Sequence, residues 1–238
     1  QMVGTGTQTA ALAIGGGSSS SDYATTNQIW NGSSWSEGSD ITTGRAIAAG
    51  GGTSTASLIF GGNASGSATA VTETWDGSSW TNGNSMNTAR QALLGAGSPS
   101  SAVAYGGTIP PSPGANTTQT EEYNGTSWSI ASATLAAGRS DTEGCGTGTA
   151  AITAGGNPTP VNATSTTTLN APSIYSPVAA TWASGGNLSQ GADGIGSANA
   201  APQTASLGFG GYTRPGITAV TQAYNGSSWT SVGNLGTG

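Results

Sequence analysis

Histidine and lysine are absent from this chain of 238 residues, and charged residues of any kind are scarce. All four basic residues are arginines, and Cys145 is the single cysteine. Without histidine, neither a Ser-His-Asp triad nor a Cys-His pair can form. One cysteine excludes an internal disulfide framework and a thiolate metal cluster. The sequence also has no P-loop, zinc-ligand spacing or dinucleotide fingerprint, so we expect no cofactor and no enzymatic activity.

The charge balance is acidic, with a net charge of −6 at neutral pH. Nucleic acid is therefore a poor partner, because binding to phosphates requires a basic surface. No apolar run is long enough to cross a bilayer and no signal-peptide pattern is present, so we expect no membrane insertion. Because the chain begins with Gln1 rather than Met, we expect a processed product or a piece of a longer protein.

Glycine, serine, threonine and regularly placed aromatic residues dominate the chain, with 41 Gly, seven Trp and six Tyr. So much glycine and β-branched threonine disfavours helix. Short apolar runs between turn signals favour strands. The composition predicts an all-β fold rather than a disordered chain.

One motif recurs five times, and its clearest copy is residues 72–90, T-E-T-W-D-G-S-S-W-T-N-G-N-S-M-N-T-A-R. A Gly-Gly pair precedes each copy. The second aromatic of each copy is Trp35, Trp80, Trp128, Trp182 or Trp229, at spacings of 45, 48, 54 and 47 residues. Periods of this length are typical of solenoids, propellers and arrays, and four short strands fit one unit. We predict a single-domain, five-bladed β-propeller in which each blade is a four-stranded antiparallel sheet.

The repeat units are predicted near residues 1–44, 45–89, 90–138, 139–192 and 193–238. In this division each blade is contiguous in sequence. Closure between the first and the last blade would then rest on side-chain packing alone.

An Asn-Gly or Asp-Gly dipeptide separates two aromatic residues in most units, which favours a hairpin with a type I′ turn. The aromatic pairs are expected to pack between neighbouring sheets, although a sugar-stacking role for one of them stays open. The first strand of each unit consists of small residues, which allow close backbone approach at a propeller axis. Cys145 lies in such a run, and we interpret it as a buried small residue rather than a reactive thiol.

The order Gly-Gly, aromatic, turn, Trp and then an opening Arg resembles the kelch repeat, across all five units. The resemblance implies a propeller of the kind shared with galactose oxidase. The uniform N-G-S-S-W turn is also similar to repeat proteins of tailed bacteriophages and of bacteria that display surface arrays. The copper chemistry of galactose oxidase is not implied, because its ligands include histidine.

The opening arginines, Arg45, Arg90 and Arg139, form the first candidate site, with Gln1 and Asp193 interpreted as their counterparts in the other units. At the mouth of a propeller channel they would bind a carboxylate or sulfate. The alternative is that each ties neighbouring loops together through backbone carbonyls.

A second candidate set is acidic. Arg139, Asp141 and Glu143 alternate along one strand and would share a face, and Asp193 opens the next unit. Paired carboxylates suit glycoside hydrolysis or a hard cation. The simpler interpretation is that Arg139 neutralises nearby acids.

The third candidate is a face of long loops that follow the Gly-Gly pairs, at residues 108–118, 157–172 and 212–218. The last loop contains Tyr212 and Arg214. A neutral surface stiffened by proline suits contact with a protein or a glycan at small ordering cost, although long loops also tolerate sequence drift.

Together these features predict a non-enzymatic structural or adhesion module, exposed on a virion (as a decoration, fibre or tail component) or on a cell surface. Its expected partners are other virion or surface proteins, and glycans. The alternative is a secreted lectin or glycosidase that uses the long-loop face.

Overall fold

The computed structural model describes residues 1–17, 22–110, 115–141, 144–158, 173–176, 181–184, 187–188, 196–197, 205–213 and 216–236. Every regular element in these ranges is a β-strand. No helix in them is long and apolar enough to cross a membrane. The prediction of an all-β fold is confirmed.

The strands follow the order of the repeat units. The first unit contains β1 (Val3–Thr7), β2 (Ala10–Ile14), β3 (Asn27–Trp30) and β4 (Trp35–Glu37). The second contains β5 (Ala49–Thr53), β6 (Ala56–Phe60), β7 (Asn63–Ala64), β8 (Ser67–Ala68), β9 (Thr72–Trp75) and β10 (Trp80–Asn82). The third contains β11 (Leu94–Ser98), β12 (Ser101–Tyr105), β13 (Thr108–Ile109), β14 (Ala115–Asn116), β15 (Thr120–Tyr123) and β16 (Trp128–Ile130).

The last two units keep the same order. The fourth contains β17 (Arg139–Ser140), β18 (Gly144–Thr147), β19 (Ala150–Thr153), β20 (Asn157–Pro158), β21 (Ser173–Ser176) and β22 (Thr181–Ser184). The fifth contains β23 (Gly196–Ser197), β24 (Ser206–Phe209), β25 (Tyr212–Thr213), β26 (Gly216–Ile217), β27 (Val220–Tyr224) and β28 (Trp229–Asn234).

These strands form five four-stranded antiparallel sheets, one in each unit, as predicted. Their orders are β1-β2-β3-β4, β5-β6-β9-β10, β11-β12-β15-β16, β18-β19-β21-β22 and β23-β24-β27-β28. Three small hairpins, β7–β8, β13–β14 and β25–β26, directly follow a Gly-Gly pair. Each sheet is therefore built from one contiguous stretch of the chain.

The turn between the third and fourth strands is a hairpin, as predicted, but its type I′ assignment is wrong. Trp30 pairs directly with Trp35, so four residues lie between them. Gly32 has φ of 95°, whereas Asn31 is not in the left-handed region. Instead, Asn31 Oδ1 accepts hydrogen bonds from the backbone N–H groups of Ser33 and Ser34, at 3.0 and 2.9 Å. The side chains of Asp76, Asn124 and Asn225 make the same pair of bonds in their units.

We call the contact between two consecutive sheets a joint. The inner strands β1, β5, β11 and β18 contact one another in that order. The described residues form four hydrophobic clusters, one for each of the four joints between the five sheets. At the second joint, for example, Trp128 of the third sheet packs on Phe60 of the second, with ring centroids 4.9 Å apart. The expected packing of aromatic residues between sheets is thus confirmed for the pairs that end in Trp80, Trp128 and Trp229, whereas Trp35 of the first unit is 51% exposed.

Small residues let the inner strands approach closely, as expected. A Cβ atom added at Gly95 would lie 2.3 Å from Cζ of Phe60, and one at Gly50 would lie 2.7 Å from Cγ1 of Val3. Cys145 is buried in the cluster of the fourth joint, where its Sγ donates to Ser206 Oγ at 3.2 Å. It occupies the place expected of a buried small residue.

The strand register corrects the alignment of the first unit. Val3 pairs with Ile14, directly before Gly15, just as Ala49 pairs with Phe60, directly before Gly61. Gln1 therefore corresponds to Ile47 and not to Arg45.

Candidate functional site

Arg45 and Arg90 lie at the start of the second and third units, and both side chains are fully buried. Nη2 of Arg45 forms an ion pair with Oε1 of Glu73, and Nη1 donates to the carbonyl of Val71 at 2.7 Å. Nη2 of Arg90 pairs with Oε1 of Glu121 at 3.0 Å. We call each Arg–Glu pair a brace.

Each brace ties three segments together. Nη1 of Arg90 donates to the carbonyls of Gly106 and Gln119, at 3.1 and 3.0 Å. The Glu121 carboxylate accepts the backbone N–H groups of Asn87 and Thr88, at 2.7 and 3.2 Å, on the stretch that leads into Arg90. The brace thus holds the Gly-Gly turn, the third strand and the linker from the preceding sheet in one arrangement.

The same contacts recur in the second unit. Nη1 of Arg45 donates to the carbonyl of Gly61 at 3.4 Å, and the carboxylate of Glu73 accepts the backbone N–H groups of Thr42 and Thr43, at 2.6 and 3.2 Å. Burial lowers the pKa of both arginines, and the adjacent carboxylates offset part of this effect. Because the guanidinium groups are buried and hydrogen-bonded, they cannot receive a ligand from solvent. Arg45 and Arg90 tie loops, which was the alternative left open by the sequence.

Arg139 occupies the same position in the fourth unit and is also buried. Its Nη1 donates to the carbonyl of Gly155 at 3.2 Å, and burial lowers its pKa to about 10. Ser173 stands in the register position of the brace glutamates, opposite Thr153 as Glu73 stands opposite Ile59. In the first and fifth units this position is glutamine, at Gln28 and Gln222.

Asp141 does not continue a regular strand from Arg139. Its φ is 54°, in the left-handed region, and it lies after β17 and before β18. One carboxylate oxygen, Oδ2, accepts hydrogen bonds from Asn157 Nδ2 and Ser140 Oγ, both at 3.0 Å. The predicted alternation that would place Asp141 on one strand face with Arg139 is therefore wrong, because the backbone turns at Asp141.

The left-handed conformation of Asp141 is repeated at Ile47 and Ala92, which have φ of 48° and 50°. The backbone N–H of Ile47 donates to the carbonyl of Gln1, that of Ala92 to Ile47, and that of Asp141 to Ala92, at 3.4, 2.9 and 3.4 Å. A cavity of about 40 Å³ lies beside this chain of bonds, lined by residues 1–4, 47–50 and 92–95 and by Asp141. It has room for a few water molecules and none for a sugar ring.

The loops after the Gly-Gly pairs present exposed side chains. Tyr212 is half exposed and stands opposite Ile217, which is almost fully exposed. The corresponding cross-strand pairs in the second and third units are polar or small, Asn63 with Ala68 and Thr108 with Asn116. The fifth unit alone among these three hairpins offers an aromatic and an aliphatic side chain to solvent.

Glu143, Asp193 and Arg214 lie outside the described residues. Within the described part of the chain, no three His, Cys, Asp or Glu side chains come together as metal ligands would.

A second cavity, of about 240 Å³, lies at the other end of β11, between the hairpin tips of the third and fourth sheets. Its lining is uncharged and consists of glycine, serine and threonine at residues 97–98, 101 and 146–149. Ser98 and Thr147 hydroxyls are hydrogen-bonded to those of Ser100 and Thr149, at 3.1 and 3.3 Å.

Sequence reasoning missed the brace glutamates, although a signal was present. Glu73 and Glu121 each stand two residues before the first aromatic of a unit that opens with Arg. The carboxylate and the guanidinium therefore recur together, which is the pattern expected of partners.

The chain matches no protein-family model, and comparison with curated proteins finds none with significant similarity.

Proposed function

We propose that the five sheets are the blades of a five-bladed, kelch-like β-propeller, a single domain spanning residues 1–238. Two observations support this arrangement. The inner strands of the first four sheets contact one another in order. The bonds from Ile47 to Gln1, from Ala92 to Ile47 and from Asp141 to Ala92 repeat one backbone link from sheet to sheet, as blades around a common axis would.

The propeller acts as a non-enzymatic structural or adhesion module. The observation that carries this proposal is the use of the recurrent charged residues. Arg45 with Glu73 and Arg90 with Glu121 are buried in braces, so these charges maintain the fold and are not presented to a substrate. The described parts of the loops that follow the Gly-Gly pairs are largely neutral, which suits contact with protein or glycan.

A virion (decoration, fibre or tail) or a cell surface is the proposed setting, with other surface proteins as partners. The recurring N-G-S-S-W turn, with its close variants at 76–80 and 124–128, and the lack of lysine and histidine support it. Mass spectrometry of purified particles from the source tests it directly. We expect the chain in amounts comparable to those of other structural proteins. Its absence both from particles and from surface fractions would overturn the proposal.

Glycan binding is the second candidate, and Tyr212 favours it. An exposed ring beside Ile217 offers a flat apolar surface next to polar loops. A glycan array of the intact chain and of Tyr212→Ala tests the idea. Binding that is lost in Tyr212→Ala and retained in Trp35→Ala, a second exposed aromatic, supports a lectin. No binding to any glycan would remove this candidate.

A glycosidase activity would require the carboxylates of the fourth and fifth units. Asp141→Asn and Asp193→Asn serve as paired variants on a panel of glycosides. We expect no hydrolysis by the unmodified chain. Hydrolysis that both substitutions abolish would overturn the non-enzymatic assignment.

A further inference from the structure

The cavity between the hairpin tips of the third and fourth sheets has a lining suited to a small ligand. Its volume is about 240 Å³, and its lining residues, at 97–98, 101 and 146–149, are all glycine, serine or threonine. A charged ligand that entered it would lose its hydration without gaining an ion partner from these residues. The lining therefore favours a ligand that is polar but uncharged.

The serine and threonine hydroxyls of the cavity have hydrogen-bonding capacity to spare. Ser98 Oγ lies 3.1 Å from Ser100 Oγ on the third tip, and Thr147 Oγ1 lies 3.3 Å from Thr149 Oγ1 on the fourth. A hydroxyl has one donor and two acceptor positions, so two hydroxyls that share one hydrogen bond retain a donor and several acceptors. The cavity can therefore both donate to and accept from the hydroxyl groups of a ligand.

Ser101 adds a hydroxyl that the corresponding tips lack. It pairs with Ser98 across the third hairpin, and the residues in its place on the first, second and fourth hairpins are all alanine, namely Ala10, Ala56 and Ala150. The fold thus accepts alanine at this position. The additional hydroxyl occurs on the tip that lines the cavity.

Gly148 brings the fourth tip close to Ser101. A Cβ atom added at Gly148 would lie 2.3 Å from Ser101 Oγ and 2.6 Å from the Ser101 carbonyl oxygen, so a residue without a side chain is needed for this approach. The middle residues of the first three tips have side chains, at Gln8, Ser54 and Pro99. Close backbone contact therefore bounds the cavity on the side of Gly148.

We propose that this cavity binds the terminal sugar residue of an uncharged glycan. A volume of about 240 Å³ is below the range of roughly 300–1,000 Å³ typical of pockets for drug-sized ligands, so the cavity accommodates one ring, and the rest of the glycan extends into solvent. The ring hydroxyls match the donors and acceptors of Ser98, Ser101 and the two threonines. Because no aromatic ring lines the cavity, hydrogen bonds carry the recognition and the affinity is low, in the millimolar range.

This site goes beyond the proposed structural role and differs from the surface around Tyr212. Ser101 begins β12, whereas the Gly-Gly pair and the hairpin of the long-loop face follow its end at Tyr105. The cavity and that face therefore lie at opposite ends of the strand. Sugar binding at one of them does not require sugar binding at the other.

Saturation-transfer NMR of the intact chain tests the proposal, with the methyl glycosides of glucose, galactose, mannose and N-acetylglucosamine as probes at millimolar concentration. We expect saturation transfer to at least one of them. Ser101→Ala should weaken its binding roughly two- to tenfold, because one hydrogen bond is lost, and alanine already stands at this position on three other tips. Transfer to none of the four probes would overturn the proposal.

A pair of matched substitutions identifies the cavity as the site. Thr149 and Thr55 are exposed residues at the same position of the fourth and second tips, and each is hydrogen-bonded to the threonine two residues before it. Thr149→Phe fills the cavity and should abolish binding, whereas Thr55→Phe should leave it unchanged. Equal loss in both variants would overturn the assignment.

Tyr212→Ala separates this site from the glycan surface of the long-loop face. We expect it to bind the sugar as the unmodified chain does. Loss of binding in Tyr212→Ala, with binding retained in Thr149→Phe, would overturn the cavity proposal and support the lectin candidate instead. The structural role is judged independently, by the presence of the chain in purified particles or surface fractions.

Discussion

The internal joints and the two ends of the molecule present the same kinds of residues in opposite surroundings. Trp80 and Trp128 are almost completely buried, whereas Trp35, at the equivalent position in the first sheet, is half exposed. Met86 and Leu135 are buried, whereas Leu235 is not. In this repeat, the tryptophan that opens the fourth strand of a sheet packs into the joint with the preceding sheet. A residue is core or surface according to whether a neighbour is present.

Replacing a tryptophan that is buried at a joint should lower the free energy of unfolding far more than replacing the exposed Trp35. We expect Trp128→Ala to cost about 3–5 kcal/mol of unfolding free energy, the usual range for a large buried aromatic. Trp35→Ala should cost roughly 1 kcal/mol, because half of the side chain already contacts solvent. Denaturant unfolding of the two variants measures the difference. Equal losses would mean that Trp35 is packed like the others.

The braces offer the next largest effect, and they distinguish the second and third units from the first and fifth. Glu121→Gln leaves the Arg90 guanidinium buried without its carboxylate, at a cost of about 3–5 kcal/mol. Adding Arg90→Leu should recover part of this loss. Gln28 and Gln222 occupy the position of Glu121 in the first and fifth units, which have no opening Arg, so glutamine is tolerated there when no guanidinium is buried beside it. A double-mutant cycle by chemical denaturation measures the coupling. If the double variant is less stable than Glu121→Gln alone, Arg90 stabilises the protein by contacts other than its ion pair with Glu121.

Much of this architecture is predictable because it depends on local, repeated signals. The Gly-Gly pairs, the Asn-Gly turns and the aromatic spacing gave five antiparallel sheets of four strands. The exposure of Trp35 was not predictable, because the sequence around it is almost the same as that around Trp80. Only the three-dimensional neighbour differs, because the first sheet covers Trp80 whereas Trp35 remains half exposed.

The candidate site was less predictable, for a related reason. Arg45 and Arg90 have the sequence positions expected of ligand-binding residues at a channel mouth, but their partners lie 28 and 31 residues later. The backbone turn at Asp141 has no sequence signature, because Ile47 and Ala92 adopt the same left-handed conformation. Strand periodicity alone therefore placed Asp141 incorrectly.

Two equivalent glycines of the inner strands, Gly95 in the third sheet and Gly4 in the first, allow a finer comparison of stability. Gly95→Ala should destabilise by about 1–3 kcal/mol, because its Cβ would overlap the Phe60 ring. At the equivalent Gly4 of the first sheet, no described atom lies within 4 Å of an added Cβ. We expect Gly4→Ala to leave the thermal midpoint nearly unchanged. A large loss in Gly4→Ala would place another sheet against this face.

The smallest predicted effect is a pH dependence of stability at the turn between the third and fourth strands, which the first, second, third and fifth units share. Hydrogen bonds from the backbone and side chains of Ser79 and Ser78 lower the pKa of Asp76 to about 2 from 3.8. Its folded-state pKa is depressed, so its contribution to stability is complete above about pH 4 and is lost as the pH falls towards 2.

Asp76→Asn should remove this pH dependence and keep the turn, because Asn31 and Asn124 make the same bonds in their units. Thermal unfolding of both proteins between pH 5 and pH 2 measures it. Identical pH profiles for the two proteins would contradict the assigned hydrogen bonds.

The central claim is that the four joints between consecutive sheets are packed while Trp35 of the first sheet is exposed. Hydroxyl-radical footprinting at low protein concentration, read by mass spectrometry, tests this directly. We expect Trp35 to be oxidised several times faster than Trp80, Trp128 and Trp229, because only Trp35 is exposed. Equal protection of all four tryptophans in the dilute monomer would contradict it.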